Sequence, residues 1–233
     1  MFCFKQFSIR QECSPMKVGT DGVLLGAWAS VGPDVRRVLD IGTGTGLIAL
    51  MMAQRIPGAE ITGVDVEPVA EARANAGASP WGARIRFEQC PVQEFAADAP
   101  FDRIVSNPPF FVDSLTCPDA GRTAARHAVH LPYADLCAAV VRLLAPQGRF
   151  AAVLPVAEAA RFLELCRGRL QLVRRTDVRT TPRRAPKRVL LEFAHAAAGD
   201  AEPVCSELVI GTGEHEGYTP EYRALTRDFY LKF

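Results

Sequence analysis

The stretch Arg37-Val-Leu-Asp-Ile-Gly42-Thr-Gly44-Thr-Gly46 constrains the fold of this chain more than any other. A short apolar run of strand length ends in three alternating glycines, and an apolar segment of helical period, residues 47–55, begins at once. Glycines at such a junction let the backbone turn sharply after a strand and let a ligand approach it closely. The same alternation continues along the chain. Strands are expected at 61–65, 85–88, 101–105 and 149–154, and helices at 68–78, 131–145 and onward from the fifth strand to about 165. Two later strands, near 170–175 and 188–193, read as an antiparallel finish. Strand–helix alternation of this kind predicts an α/β fold: a mostly parallel seven-stranded sheet, covered by helices on both faces, with an antiparallel final strand. Residues 1–34 precede this core as a separate segment, 35–193 form it, and 194–233 follow as an extension packed on it.

Composition narrows the function classes. The chain is 48% hydrophobic and 23% charged, which excludes wholesale disorder, and no apolar run approaches the ~18 residues of a membrane span. The first residues lack the basic and long apolar regions of a secretory signal. Seven scattered cysteines without a Cys-x-x-Cys pair, and four histidines outside zinc-ligand spacing, predict reduced thiols, no metal and a cytoplasmic protein. With a net charge of +1, binding to a polyanion must come from a local cluster.

In an open parallel sheet, ligands bind beyond the carboxyl ends of the strands. Asp40 stands just before the glycines, and Asp65 closes the second strand, where an acid can accept both hydroxyls of a ribose. Gly44-x-Gly46-x-x-Ala49 also fits the dinucleotide pattern, so the glycines alone leave a nicotinamide cofactor open.

The fourth strand runs into Ser106-Asn107-Pro108-Pro109-Phe110, the most specific signal in the chain. Two prolines fix φ and remove two backbone donors, so the turn is rigid and the Pro108 carbonyl stays out of a regular ladder. The Asn107 side-chain oxygen is a second acceptor beside it. Two converging acceptors suit an –NH2 group, and Phe110 offers a flat face on which a base can stack.

Together these residues resemble a known family. Asp40, the three glycines and Asp65 are similar to the first motifs of class I S-adenosylmethionine-dependent methyltransferases, which have a Rossmann-like fold. Asn107-Pro-Pro-Phe110 resembles the motif of members that methylate planar amino nitrogens: adenine N6, guanine N2, cytosine N4 or glutamine N5. Phe4-Lys-Gln-Phe7, residues 16–28, Ser79-Pro-Trp81 and residues 218–233 extend the likeness over almost the whole chain, to the bacterial valine-tRNA adenine-N6 methyltransferases. The resemblance implies S-adenosyl-L-methionine as cofactor, a tRNA as partner, and methylation of the adenine next to the anticodon, flipped out of its stack. It implies Asn107, Pro108 and Phe110 as catalytic residues. It implies a cofactor site of Lys17, Thr20, Asp21, Asp40, Gly42, Thr43, Gly44, Gly46, Asp65, Val66, Gln89, Cys90, Val92 and Asn107, with 17–22 covering the methionine end. The chain departs from the pattern twice. Phe110 stands where members often carry Tyr, and Pro91 stands near an expected Asp that binds the cofactor adenine.

Arg174, Arg175, Arg179, Arg183, Arg184, Lys187 and Arg188 crowd residues 174–188, with Asp177 as the only acid among them. The turn between the last two sheet strands is expected near the active-site end. Arg122, Arg126, Arg179, Arg183, Arg184 and Lys187 are therefore candidate phosphate contacts. His127 and His130 lie in the same loop as Arg122 and Arg126 and suit either a pocket wall or a solvated surface. The runner-up readings are a guanine-N2 RNA methyltransferase and a glutamine-N5 methyltransferase of release factors, the latter normally with a helical N-terminal domain longer than residues 1–34. An NAD-dependent oxidoreductase leaves Asn107-Pro-Pro-Phe110 unexplained. An RNA-binding protein without activity leaves both motifs unexplained.

Overall fold

In the computed structural model, residues 1–14, 16–109, 131–196, 202–214 and 217–233 are described. Eight strands form one sheet: β3 (Arg37–Ile41), β4 (Glu60–Asp65), β5 (Ile85–Gln89), β6 (Phe101–Ser106), β7 (Leu144–Pro155), β8 (Leu170–Arg179), β9 (Arg188–His195) and β10 (Val204–Val209). Their order across the sheet is β10-β8-β9-β7-β6-β3-β4-β5, and only β9 runs against its neighbours. The mostly parallel α/β fold is thus as expected, with one strand more than seven. The antiparallel strand is interior, between β7 and β8, and β10 of the C-terminal extension covers the β8 edge in parallel. The sequence of β10 gives little warning. Its side chains from Val204 to Glu207 are exposed, so it lacks the apolar alternation of a buried strand.

Alternation inside the strands builds two cores, one on each face. Ala151 and Val153 of β7 face one, and Phe150, Ala152 and Leu154 face the other. Helices α1 (Thr20–Trp28), α2 (Leu47–Arg55) and α3 (Ala70–Gly77) cover the first. Helices α4 (Tyr133–Leu143) and α5 (Val156–Cys166) cover the second. The α4–β7 junction differs from the expected boundary. The helix stops at Leu143, because Pro146 disfavours helical backbone just before it, and 144–148 join β7. A register shift between Phe101 and Arg103 absorbs this irregular stretch.

The two ends of the chain are clasped together. A small hairpin, β1 (Phe2–Cys3) with β2 (Ser8–Ile9), is held when the Lys5 ammonium donates to the Arg227 and Phe233 backbone oxygens at 2.5 and 2.6 Å. Phe4 stacks on Phe7 at 4.7 Å and lies near Tyr230 at 5.9 Å. Helix α6 (Pro220–Thr226) starts where its sequence says it should: the Thr219 hydroxyl accepts from the Tyr222 amide, and Pro220 occupies the first turn.

Candidate active site

Strand register brings the sequence-predicted residues to one edge. Ile41 pairs with Ser106, and Asp65 pairs with Gln89, so the carboxyl ends of β6, β3, β4 and β5 lie side by side. The glycine turn, Asp65–Val66, Gln89–Cys90 and Asn107–Pro108 follow directly from those ends. The Ser106 hydroxyl donates to the Ile41 carbonyl at 2.9 Å, joining the Asn107-Pro-Pro turn to the glycine turn.

Gly42, Gly44 and Gly46 have φ of 71°, 52° and 80°, a backbone region that side chains resist. At Gly42 and Gly44 a Cβ would meet nothing within 4 Å, so the turn borders open space. The Gly42 and Thr43 amides donate to the Val64 carbonyl at 2.9 and 3.1 Å, and the Gly44 amide donates to Asp65 Oδ2 at 2.8 Å. Asp65 Oδ1 accepts from the Glu67 amide at 3.0 Å, which fixes the carboxylate and leaves lone pairs on both oxygens.

Asp40 is fully buried. Its Oδ2 accepts from the Thr43 hydroxyl at 2.7 Å and the Ala49 amide at 3.1 Å, while Oδ1 has no partner among the described residues. Burial, only partly offset by those two donors, pushes its pKa up to about 7. Asn107 presents a similar orphan: its Oδ1 is buried and unpartnered among the described residues. Its Nδ2 lies 3.8 Å from the Met16 sulfur.

The other predicted cofactor residues are placed as follows. Gln89 Nε2 donates to the Val66 carbonyl at 3.3 Å, and the Cys90 amide donates to the Asp65 carbonyl at 2.9 Å. Burial, with Glu88 and Glu94 nearby, pushes the Cys90 thiol up to about 11, which favours its protonated form at neutral pH. Val92 is a core side chain. Thr20 is exposed at the start of α1, and Asp21 pairs with Arg188 of β9 at 2.8 Å. The Lys17 ammonium turns back onto the Gln11 and Glu12 carbonyls. Phe110, Arg122, Arg126, His127 and His130 lie outside the described residues.

The basic cluster sorts itself by pairing. Arg174 lies 3.7 Å from the Trp28 ring centroid and pairs with Glu192, Arg175 pairs with Asp177, and Arg179 pairs with Glu207 of β10. The single opposing acid expected from the sequence is therefore joined by three from other elements: Asp21, Glu192 and Glu207. Arg183, Arg184 and Lys187 remain exposed in the β8–β9 hairpin, without an ion pair among the described residues. Because β9 runs antiparallel to β7, with Arg188 opposite Pro155, this hairpin sits at the same sheet edge as the glycine turn.

Sequence reasoning missed two residues of α3. The Glu71 carboxylate accepts from the Glu12, Cys13 and Ser14 amides at 2.6, 3.2 and 2.9 Å, and from the Ser14 hydroxyl at 2.6 Å. Burial acts against it, but the Ser14 hydroxyl and the three amides bring its pKa down to about 2. Asn75, 2% exposed, exchanges bonds with the Arg10 backbone and donates to the Thr45 carbonyl inside the glycine turn at 2.9 Å. A polar Asn on the buried face of an Ala-rich helix was the available signal. A cavity of about 630 Å³ lined by Arg37, Ile85, Phe87 and Phe101 opens elsewhere, toward the amino ends of the strands. Among the described residues, no cluster of His, Cys, Asp and Glu stands ready to hold a metal ion, and no helix is long and apolar enough to cross a membrane.

Comparison with known proteins agrees with this geometry. Residues 23–132 match the methyltransferase small domain family. The chain is 46% identical over 233 residues to the tRNA1(Val) (adenine(37)-N6)-methyltransferase of Phocaeicola vulgatus, covering 99% of this chain and 97% of that one. It is 41% identical to the protein of the same name from Flavobacterium johnsoniae, covering all of both chains. Its fold is similar to the crystal structure of a predicted O-methyltransferase from Agrobacterium tumefaciens (TM-score 0.68, 19% identity, 90% of this chain and 96% of that one). It is also similar to a glycopeptide N-methyltransferase complexed with S-adenosyl-L-methionine (TM-score 0.55, 18% identity, 78% of this chain and 100% of that one).

Proposed function

The chain belongs to the family of tRNA1(Val) (adenine(37)-N6)-methyltransferases, and on that premise we propose that it transfers a methyl group from S-adenosyl-L-methionine to the N6 amine of an adenine next to the anticodon of a valine tRNA. The observation that carries this reading is the Asn107 Oδ1 beside the glycine turn, buried and without a partner among the described residues. A buried acceptor without a donor costs free energy, and an amine that donates to it recovers that cost.

The residues present fit the cofactor. Asp40 Oδ1 is a second buried orphan, suited to an ammonium. Asp65 has lone pairs for ribose hydroxyls, and the bare Gly42 and Gly44 leave room for a close ligand. When bound, S-adenosyl-L-methionine supplies an electrophilic sulfonium methyl. Val66, Gln89 and Cys90 border the adenine end, where Pro91 leaves backbone groups and packing in place of an acid. Thr20, Asp21 and Lys17 lie on the segment that covers the methionine end.

Asn107 Oδ1 and the Pro108 carbonyl accept the two hydrogens of the adenine amine. This aims the nitrogen lone pair out of the base plane, toward the methyl donor. Phe110 stacks on the base, which must leave its stack to arrive, at a cost of a few kcal/mol. Neither acceptor is a base at neutral pH, so the proton leaves to water after transfer. Positioning and electrostatics carry the rate. Arg183, Arg184 and Lys187, with Arg122 and Arg126 beyond the catalytic turn, contact the flanking phosphates. We read the enzyme as cytoplasmic, with residues 1–34 as a lid and 194–233 as an extension braced on the core.

Nucleoside mass spectrometry tests this reading. Bulk bacterial tRNA lacking the modification is incubated with the protein and methyl-labelled cofactor. N6-methyladenosine in the anticodon-loop fragment of valine tRNA is expected. N2-methylguanosine would move the protein to the runner-up chemistry, and no label in RNA would overturn the reading.

A further inference from the structure

Of the described residues of segment 10–18, Val18 is the one apolar side chain that packs against a hydrophobic core, and it is only half-buried. Arg10, Glu12, Cys13, Met16 and Lys17 are exposed, and Met16, at its tip, is 50% exposed while touching Asn107. Packing at Val18 fixes its far end, and polar anchors hold residues 10–14. Among the described residues, the long-range hydrogen bonds that hold residues 10–14 come from one helix face. Glu71 and Asn75 are one turn apart on α3 and so point the same way. Glu71 gathers three successive amides and one hydroxyl of residues 12–14, and Asn75 clamps Arg10 from both sides. Within the segment, the Val18 amide donates to Gln11 Oε1 at 2.6 Å and Lys17 turns back to Gln11, which closes the loop on itself.

We propose that Glu71 and Asn75 are positioning residues for cofactor binding: they latch residues 10–14 to α3, so that Met16 and Lys17, which follow, are held over the cofactor end of the site, and Asn75 ties the same latch to the glycine turn through the Thr45 carbonyl. This rests on the functional reading above and deepens it, because neither residue touches substrate or cofactor. A segment held mainly by a few hydrogen bonds, with one half-buried Val18 on the core, opens at low cost. The Glu71 carboxylate stays ionised across the assay range, so the latch does not depend on protonation there.

Two readouts on Glu71→Ala and Glu71→Gln test the latch. The first is tryptic cleavage after Arg10 and Lys17 in the cofactor-free protein. It should quicken about tenfold or more in Glu71→Ala and by less in Glu71→Gln, which keeps one acceptor oxygen. The second is calorimetric affinity for S-adenosyl-L-methionine, expected to weaken about tenfold in Glu71→Ala. Single-turnover rates at saturating cofactor should change far less than that affinity, and melting temperature should stay near wild type, because the site chemistry and the core are untouched. Asn75→Asp, which keeps the Oδ1 acceptor for the Arg10 amide but loses the donor to the Arg10 and Thr45 carbonyls, should weaken cofactor affinity with less effect on cleavage at Lys17 than Glu71→Ala has. Wild-type cleavage rates and affinity in Glu71→Ala would overturn the proposal. Failure of the wild type to bind the cofactor would overturn the functional reading instead, while the proteolysis comparison would still report on the latch.

Discussion

The glycine turn and the β8–β9 hairpin lie at the same sheet edge, but they are built on opposite rules. In the turn, nearly every polar group is committed: Gly42, Thr43 and Gly44 amides, both Asp65 oxygens and Asp40 Oδ2 all have partners in the protein. What remains, among the described residues, is a pair of acceptors without partners, Asp40 Oδ1 and Asn107 Oδ1, buried where solvent cannot satisfy them. In the hairpin, four of seven cations are neutralised by acids, and three are exposed with no acid paired to them among the described residues. A small ligand with fixed shape calls for preorganised groups of low number. A polyanion calls for mobile charge that costs little to desolvate and gains by releasing counterions.

The largest effect should come from the orphan acceptor. Asn107→Ala is expected to lower the single-turnover methylation rate by at least about 100-fold, the scale of a lost preorganised polar contact, while cofactor affinity stays nearly intact. Retained activity would show that the turn does not act through this atom.

A smaller effect should follow charge reversal in the hairpin. Changing Arg183, Arg184 and Lys187 to Glu should weaken tRNA binding by about tenfold or more and reduce the log–log salt slope by roughly 2, at ~0.7 per single-stranded phosphate contact. Cofactor affinity should not move. Arg175→Gln is the sharpening control. Its guanidinium is occupied by Asp177, so it should leave the slope near wild type. Equal slopes in all three proteins, measured by filter binding across a salt series, would erase the distinction between paired and unpaired arginines.

The smallest effect concerns protons. Burial raises Asp40 from 3.8 to about 7, so its neutral form favours the fold. That contribution is fully present below the unfolded value near 3.8 and is lost as pH rises through about 7. Asp40→Asn should remove this slope from the pH dependence of the cofactor-free melting temperature. A ligand ammonium at Oδ1 favours the ionised form, so wild type at pH 6 should release roughly one proton on binding the cofactor. Calorimetry in two buffers of different ionisation heat measures this. Zero release by the wild type would show that no cation meets Asp40.

Much of the site was legible in the chain because it is local. Asp40, the three glycines and Asp65 fall at strand ends, where period and glycine spacing speak directly, and Asn107-Pro-Pro announces a rigid turn by its own stereochemistry. The antiparallel placement of β9 in the interior, and the eighth strand β10, were not legible to the same degree. Pairing partners far apart in sequence are chosen by register, and β10 is too exposed to show a buried pattern.

By itself the sequence determined an α/β sheet with a glycine turn and an Asn-Pro-Pro turn at its strand ends, because torsional limits and hydrophobic period act within a few residues of each other. Only the tertiary structure decided which arginines stay free, since Asp21, Glu192 and Glu207 reach the cluster from α1, β9 and β10. Only the tertiary structure showed that Glu71 and Asn75 bind residues 10–14 to α3, beside the glycine turn. Electrostatic pairing and buried hydrogen bonding depend on distance in space, and the residues that meet here are separated by as many as 167 positions along the chain.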